Sequence, residues 1–511
     1  MTATLPNLPL ALQNNPLLTF GRGIAAYAEV KPEHIAPAIQ FLLKHAQDAV
    51  EIATDPKTPA SWNQLAEPLE DATEALGRSW GVISHLNSVA DTAQLRAAYG
   101  EMLPEVTAFF SSLGQNLALY KKFKELKNSS EFAKLNRAQQ KVIENSLRDF
   151  RLGGAELSDA DKPRFSAIQD EQAVLGKAFS DHVLDATDGF VHLVTDKAEL
   201  AGLPADAIAA AADTAQQKGL QGWAFTLHFP SYYPVMQYSE NRGFRRLMYE
   251  AYVTRSSELG PQYGKGNLAW DNTQNMLDQL RLRDEEAQML GFANYAALSL
   301  APKMANTVDE VDRFLTNFAI KSKPFAQKDW EELCTYAKAE LGFTDGLEPW
   351  DIPFAAERLK QARYSFSENE LKQYFPLPKV LDGLFQVIQS LFGVKIVPAD
   401  LPTWHADVQS FAVQDQANKI RAYFYLDPYA RPGKRGGAWM DDARGRRELP
   451  NGEIQIPVAY LVCNFAPPVK VDGVLRQPTI THDDVITLFH ESGHGLHHLL
   501  TQVSALGVSG I

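Results

Sequence analysis

The chain reads as a mainly α-helical protein with one small β-rich region. Two observations carry that reading. Apolar residues recur at helical spacing through most of the first 180 residues, and strand-like alternation is concentrated in a stretch near 409–465. A third observation places the β-rich region: a capped amphipathic helix follows directly after it, from Thr481 onward.

The elements follow in order. After an extended segment at 27–30, Ile35, Ile39, Leu42, Leu43, Ala46 and Val50 mark a first long helix. Helical patterns continue over 69–86 and 92–109, with Pro104 expected to kink the second. Another spans 134–150 and breaks at Gly153 and Gly154, and 158–183 reads as one more long helix. Residues 189–194 and 222–229 read as strands around an Ala-rich helix at 204–217, with Pro230 and Pro234 confining any strand to the part before Pro230. Helices resume from Asn241 to Leu341. In the β-rich stretch, 419–426 and 454–465 read as strands joined through a Pro/Gly turn at 428–437 that carries Arg431, Lys434 and Arg435. The division expected from this pattern is an N-terminal helical domain, 1–187, and a second domain, 188–511.

Composition excludes several classes. The chain has 511 residues, 45% hydrophobic and 22% charged, as in ordinary globular proteins. A net charge of -13 argues against a nucleic-acid groove and against an anionic membrane surface. No apolar run reaches transmembrane length, and residues 1–15 lack the pattern of a secretory leader. The two cysteines, Cys334 and Cys463, match no metal or redox spacing and suit a reducing compartment. The expected setting is the cytoplasm.

Chemistry concentrates in Phe-His-Glu-Ser-Gly-His at 489–494, where His490, Glu491 and His494 form H-E-x-x-H. Thr481 and Asp484 have the spacing of a capping box, and Asp483 and Asp484 suit the positive end of the helix. Val485, Leu488, Phe489, Leu496, Leu499 and Leu500 supply apolar residues for burial. Residues four apart share a helix face, so His490 and His494 stand about one turn, or ~6 Å, apart and can converge on one zinc ion. Glu491, rotated by about 100° from His490, stands where a base acting on a metal-bound water belongs. His494 and His498 are also four apart, so a shifted pair is geometrically open, but only the first pair encloses a glutamate beside a ligand. His482, and His405 with Asp407, read as structural.

A catalytic zinc site takes three protein ligands. Leu500 occupies the position of a third histidine six residues after His494, which removes that branch, and 495–511 holds no Asp or Glu. The third ligand is expected either from an upstream residue or, the favoured reading, from a segment beyond Ile511 in a longer chain.

The run Leu488-Phe489-His490-Glu491-Ser492-Gly493-His494-Gly495-Leu496-His497-His498 resembles the active-site helix of the M3, thimet-oligopeptidase-like, metallopeptidases. The resemblance extends over Pro230–Met236, Pro349-Trp350-Asp351, Phe424-Tyr425-Leu426-Asp427, 434–442 and 457–465. It implies a zincin-like, two-lobed helical ellipsoid with a deep channel. It implies zinc ligation by His490 and His494, with Glu491 as catalytic base and a third ligand, a glutamate, beyond Ile511. Ser492 departs from the phenylalanine common in the family, at a position that is not a ligand.

The expected function is zinc-dependent cleavage of short cytoplasmic peptides by the intact protein, with one Zn2+ per chain. No nucleic-acid or membrane partner is expected, and the protein is expected to be a monomer. Gly436 and Gly437 would let substrate approach a strand edge, the alternative being a plain hairpin turn. Arg431, Lys434 and Arg435 read as a solvated basic turn rather than as substrate contacts. Two competing readings remain at this point: another H-E-x-x-H peptidase such as an aminopeptidase, or an inactive peptide-binding fragment.

Overall fold

The computed structural model describes residues 8–263, 267–449, 451–471 and 474–510. The reading of residues 1–15 therefore falls partly outside the described residues. Long helices Pro32–Thr54, Glu67–Val89, Ala93–Gly114, Arg137–Leu152 and Lys162–Gly189 form the N-terminal part. Their starts follow from local chemistry. The side chains of Thr92, Asn116 and Asn136 accept hydrogen bonds from backbone N–H groups in the first turns that follow them. Burial selects the periodic face: Ile35, Ile39, Leu42 and Ala46 are in the core.

Several boundaries differ from expectation. Residues 27–29 form a 3-10 turn rather than an extended segment, and Tyr27 is buried there. Pro104 lies inside Ala93–Gly114 without ending it. The helix expected from residue 158 starts at Lys162, because Ser158 instead closes a turn by accepting from Asp161 N–H at 3.2 Å. The strands expected at 189–194 and 222–229 shrink to an antiparallel pair, His192–Val194 with Trp223–Phe225. Residues Phe229–Tyr238 are helical, since Pro230 occupies the first turn, where no N–H is needed. The strand expected at 454–465 is split at Pro457 into Ile454–Gln455 and Val458–Phe465.

One five-stranded mixed sheet positions the site. Its order is Lys395–Pro398, Gln409–Gln414, Ile420–Tyr429, Val458–Phe465, Trp439–Arg444. Ile420–Tyr429 and Val458–Phe465 run parallel, with Tyr425 opposite Tyr460, and the other pairs are antiparallel. The near-continuous apolar run of Val458–Phe465 is explained by burial on both faces. Val458, Tyr460 and Val462 join the core of the N-terminal helices, together with Ile39, Leu86 and Met102. Ala459, Leu461, Cys463 and Phe465 face the other way, in one core with Leu488 and Leu499 of the helix His482–Leu499 and with Leu377, Leu381 and Leu384 of the helix Leu377–Phe392. The helix carrying His490 and His494 thus lies on the sheet face opposite the N-terminal helices.

The basic turn is not solvated. Lys434 is fully buried, and its Nζ donates to Asp427 Oδ1 at 2.8 Å and to the carbonyls of Asp427, Tyr429 and Cys463 at 3.1, 2.8 and 2.6 Å. Arg431 pairs with both carboxylate oxygens of Asp427 and donates to Val89 O at 2.8 Å. The turn is therefore an internal brace that ties the ends of the two parallel strands to the N-terminal helices. A charge pattern in sequence does not reveal this, because the acceptors are mostly backbone carbonyls.

Candidate active site

The helix His482–Leu499 starts as its sequence requires. Thr481 Oγ1 accepts from Asp484 N–H at 3.1 Å, and Asp484 Oδ2 accepts from Thr481 N–H at 2.9 Å. Leu488 and Leu499 are buried and Val485, Leu496 and Leu500 are half-buried, but Phe489 is exposed, contrary to expectation. Its position next to His490 turns it away from the sheet. Gly495 brings the helix down onto the strand: a Cβ there would stand 2.9 Å from Leu461 Cδ2. Ser492 is buried and donates from Oγ to Leu488 O at 2.6 Å, so its hydroxyl is satisfied within the helix.

His490 and His494 are both exposed, on the side away from the sheet. Their Nε2 atoms are 3.2 Å apart, and the rings are inclined by 82°. Two imidazole nitrogens each ~2.05 Å from one ion and separated by this distance subtend about 100° at it, close to the tetrahedral angle zinc prefers. The pair therefore fits a zinc ion. Glu491, next to His490 in the helix, is buried, 7% exposed. Among the described residues no group of three His, Cys, Asp or Glu side chains could hold a metal. Cys463, behind the helix, is buried, and burial pushes its thiol up to about 12.

The shifted ligand pair is removed. His498 is buried, with Nε2 at 3.0 Å from Arg444 O, so this nitrogen is spent on the backbone. Its Nδ1 faces Gly510, where a Cβ would stand 2.5 Å away. His497 is exposed. His482 donates its backbone N–H to Glu368 Oε1 at 3.1 Å, at the helix start. His405 Nδ1 accepts from the backbone N–H of Asp407 at 3.2 Å, a local turn contact.

Gly436 and Gly437 precede the edge strand Trp439–Arg444, which pairs antiparallel with Val458–Phe465 and, among the described residues, has no strand paired on its other side. Gly437 has φ +95°, a conformation that favours glycine, and a Cβ on Gly436 would meet nothing within 4 Å. Asn464 fixes this turn by donating from Nδ2 to Arg435 O at 2.9 Å and Gly437 O at 2.6 Å. Asn464 and Gly495 are the positioning residues that sequence reasoning missed. Only Gly495 left a signal, its place directly after the second histidine.

Two histidines that bracket a glutamate, on a helix laid across a small mixed sheet, form an arrangement that suits a metallopeptidase. Comparison with known proteins makes the class specific. The model of Peptidase family M3 matches residues 235–511, and that of the Neurolysin/Thimet oligopeptidase N-terminal domain matches 39–162. Oligopeptidase A of Escherichia coli (strain K12) is 45% identical over 498 residues, 97% of this chain and 72% of that protein. The Arabidopsis thaliana protein named "Probable cytosolic oligopeptidase A" is 40% identical over 514 residues, 98% of this chain and 71% of that one. A solved structure carrying the name oligoendopeptidase F shares the fold, with TM-score 0.51 at 14% identity over 92% of this chain and 64% of that chain. The chain belongs to peptidase family M3, and with it to the metalloendopeptidases.

Proposed function

We propose that this protein is a zinc-dependent endopeptidase that hydrolyses short peptides in the cytoplasm. The observation that carries the reading is the 3.2 Å approach of His490 Nε2 and His494 Nε2 beside buried Glu491. His490 and His494 would hold one Zn2+ per chain, with a third ligand, a glutamate, expected beyond Ile511. When bound, zinc polarises the scissile carbonyl and lowers the pKa of a coordinated water. Glu491 takes the proton of the attacking water and delivers it to the leaving amine. The side of Trp439–Arg444 that pairs with no strand among the described residues offers backbone groups on which a peptide adds as a strand, and Gly436 leaves room for it to approach.

The oligopeptidase A relatives support short peptides as substrates, and the name of the Arabidopsis relative supports the cytosolic setting. Among the described residues no helix is long and apolar enough to cross a membrane. A monomer that engages neither nucleic acid nor membrane, divided into domains near residue 187, completes the proposal.

Zinc analysis of the 511-residue chain and of a chain extended through the third ligand tests the ligand set. Tight stoichiometric zinc is expected in the extended chain and its loss in His490→Ala. Equal zinc in His490→Ala would sink the assignment. Cleavage mapping on quenched peptides should show internal scission; release of single N-terminal residues would favour an aminopeptidase. The absence of a third ligand among the described residues favours one other reading, peptide binding without turnover by this chain alone.

A further inference from the structure

The helix His482–Leu499 meets the sheet beneath it through apolar side chains, with Leu488 and Leu499 in one core with Leu461 and Phe465. Such contacts carry no direction, so alone they do not fix how far a helix slides along a sheet. Among the described residues a single hydrogen bond joins this helix to the five-stranded sheet, between His498 Nε2 and Arg444 O. A carbonyl oxygen only accepts, so Nε2 carries the imidazole proton and donates.

Both ends of that bond are held in place. Arg444 closes the edge strand Trp439–Arg444, whose pairing with Val458–Phe465 shifts register between Asp442 and Arg444. Its guanidinium is anchored on backbone carbonyls: Nε donates to Ile456 O at 2.8 Å, and Nη1 to Arg22 O and, at 3.2 Å, to Gly23 O. The imidazole is buried and backed by Gly510. His498 stands one turn beyond His494, about 6 Å along the helix axis. The helix thus carries the histidine pair, and Trp439–Arg444 is the edge on which the proposed reaction lays the peptide. We infer that His498 is a positioning residue: through Arg444 O it sets the place of the histidine pair relative to the strand that aligns the scissile bond. Small slides matter here, since a misplacement of about 1 Å costs up to about a hundredfold in rate. The inference rests on the proposed metal ligation and strand addition.

Chelated copper tests the placement in the 511-residue chain. Cu2+ held by nitrilotriacetate keeps positions open for His490 and His494 and needs no third protein ligand. A nitroxide is attached at exposed Asp442 through Asp442→Cys, with Cys334→Ser removing the half-buried thiol and Cys463 left buried. The copper–nitroxide distance, read by electron paramagnetic resonance, should show one narrow distribution. In His498→Phe it should broaden or shift by about 1 Å or more. In His498→Gln, whose amide reaches the place of the imidazole Nε2, the narrow distribution should return. A broad distribution with His498 intact overturns the inference, and this measurement stands even if His498→Phe does not fold. Identical distributions in all three chains overturn it as well. In a chain that contains the third ligand, His498→Phe should keep its zinc, lower kcat at least about tenfold and leave KM within about twofold, with His498→Gln close to the parent. Undiminished kcat in His498→Phe, or an equal loss in His498→Gln, overturns the inference. A parent chain that takes up no copper, or that has no turnover with its third ligand present, instead rejects the site reading on which the inference rests.

Discussion

Replacing Lys434 with Met should loosen the sheet on which the histidine helix rests. The ammonium is fully buried and donates to Asp427 Oδ1 and to the carbonyls of Asp427, Tyr429 and Cys463. Methionine preserves the volume and removes every donor. Arg431 still pairs with both oxygens of Asp427 and Trp404 Nε1 still donates to Oδ2, so the carboxylate is not left alone. The loss is therefore that of one partner in a buried pair, together with unsatisfied carbonyls, about 3–5 kcal/mol. Unfolding entropy of ~2.1 cal/mol/K per residue, applied to a cooperative unit the size of this chain, converts 4 kcal/mol into a fall in Tm of about 4 °C. Differential scanning calorimetry, with the Arg431→Met variant alongside, reads it. A Tm within 1 °C of the unchanged protein would show that the four contacts do not brace the fold, and the reasoning from buried pairing would be refuted.

Two further outcomes follow from the core and the helix contact. His85 is buried against Tyr460 with ring centroids 3.7 Å apart, and burial pushes its pKa down to about 3. The unfolded imidazole binds protons near 6.5 while the folded one does not, so stability is full above that pH and is lost as pH falls from 6.5 toward 3, by at most about 5 kcal/mol. Denaturation midpoints from pH 7 to 4 should fall less steeply in His85→Phe; parallel profiles would reject the assignment. Gly495→Leu should lift the helix from Leu461 and cost about 1–3 kcal/mol by overpacking, and a variant as stable as the parent would contradict the close approach.

The sequence disclosed what is local and periodic. Thr481 and Asp484 close the capping box as their spacing requires, and four-residue spacing brings His490 and His494 onto one exposed face. The inner strand Val458–Phe465 is legible as an apolar run, whereas its separation from Ile454–Gln455 at Pro457 is not. The basic turn was misread because Lys434 is solvated or buried according to where distant carbonyls fall, which no local pattern encodes. His498 was left open for the same reason: Arg444 O, 54 residues away in sequence, occupies its Nε2. Phe489 was assigned to the core by type, whereas its rotation on the helix exposes it.

The central claim is that Glu491 acts as base beside a zinc ion held by His490 and His494. It is tested most directly by Glu491→Gln in a chain that contains the third ligand, with zinc content and hydrolysis of a quenched peptide measured on the same sample. The account predicts one zinc per chain with turnover reduced by at least about a thousandfold, as expected when an essential proton carrier is removed. Undiminished turnover with zinc bound would contradict it.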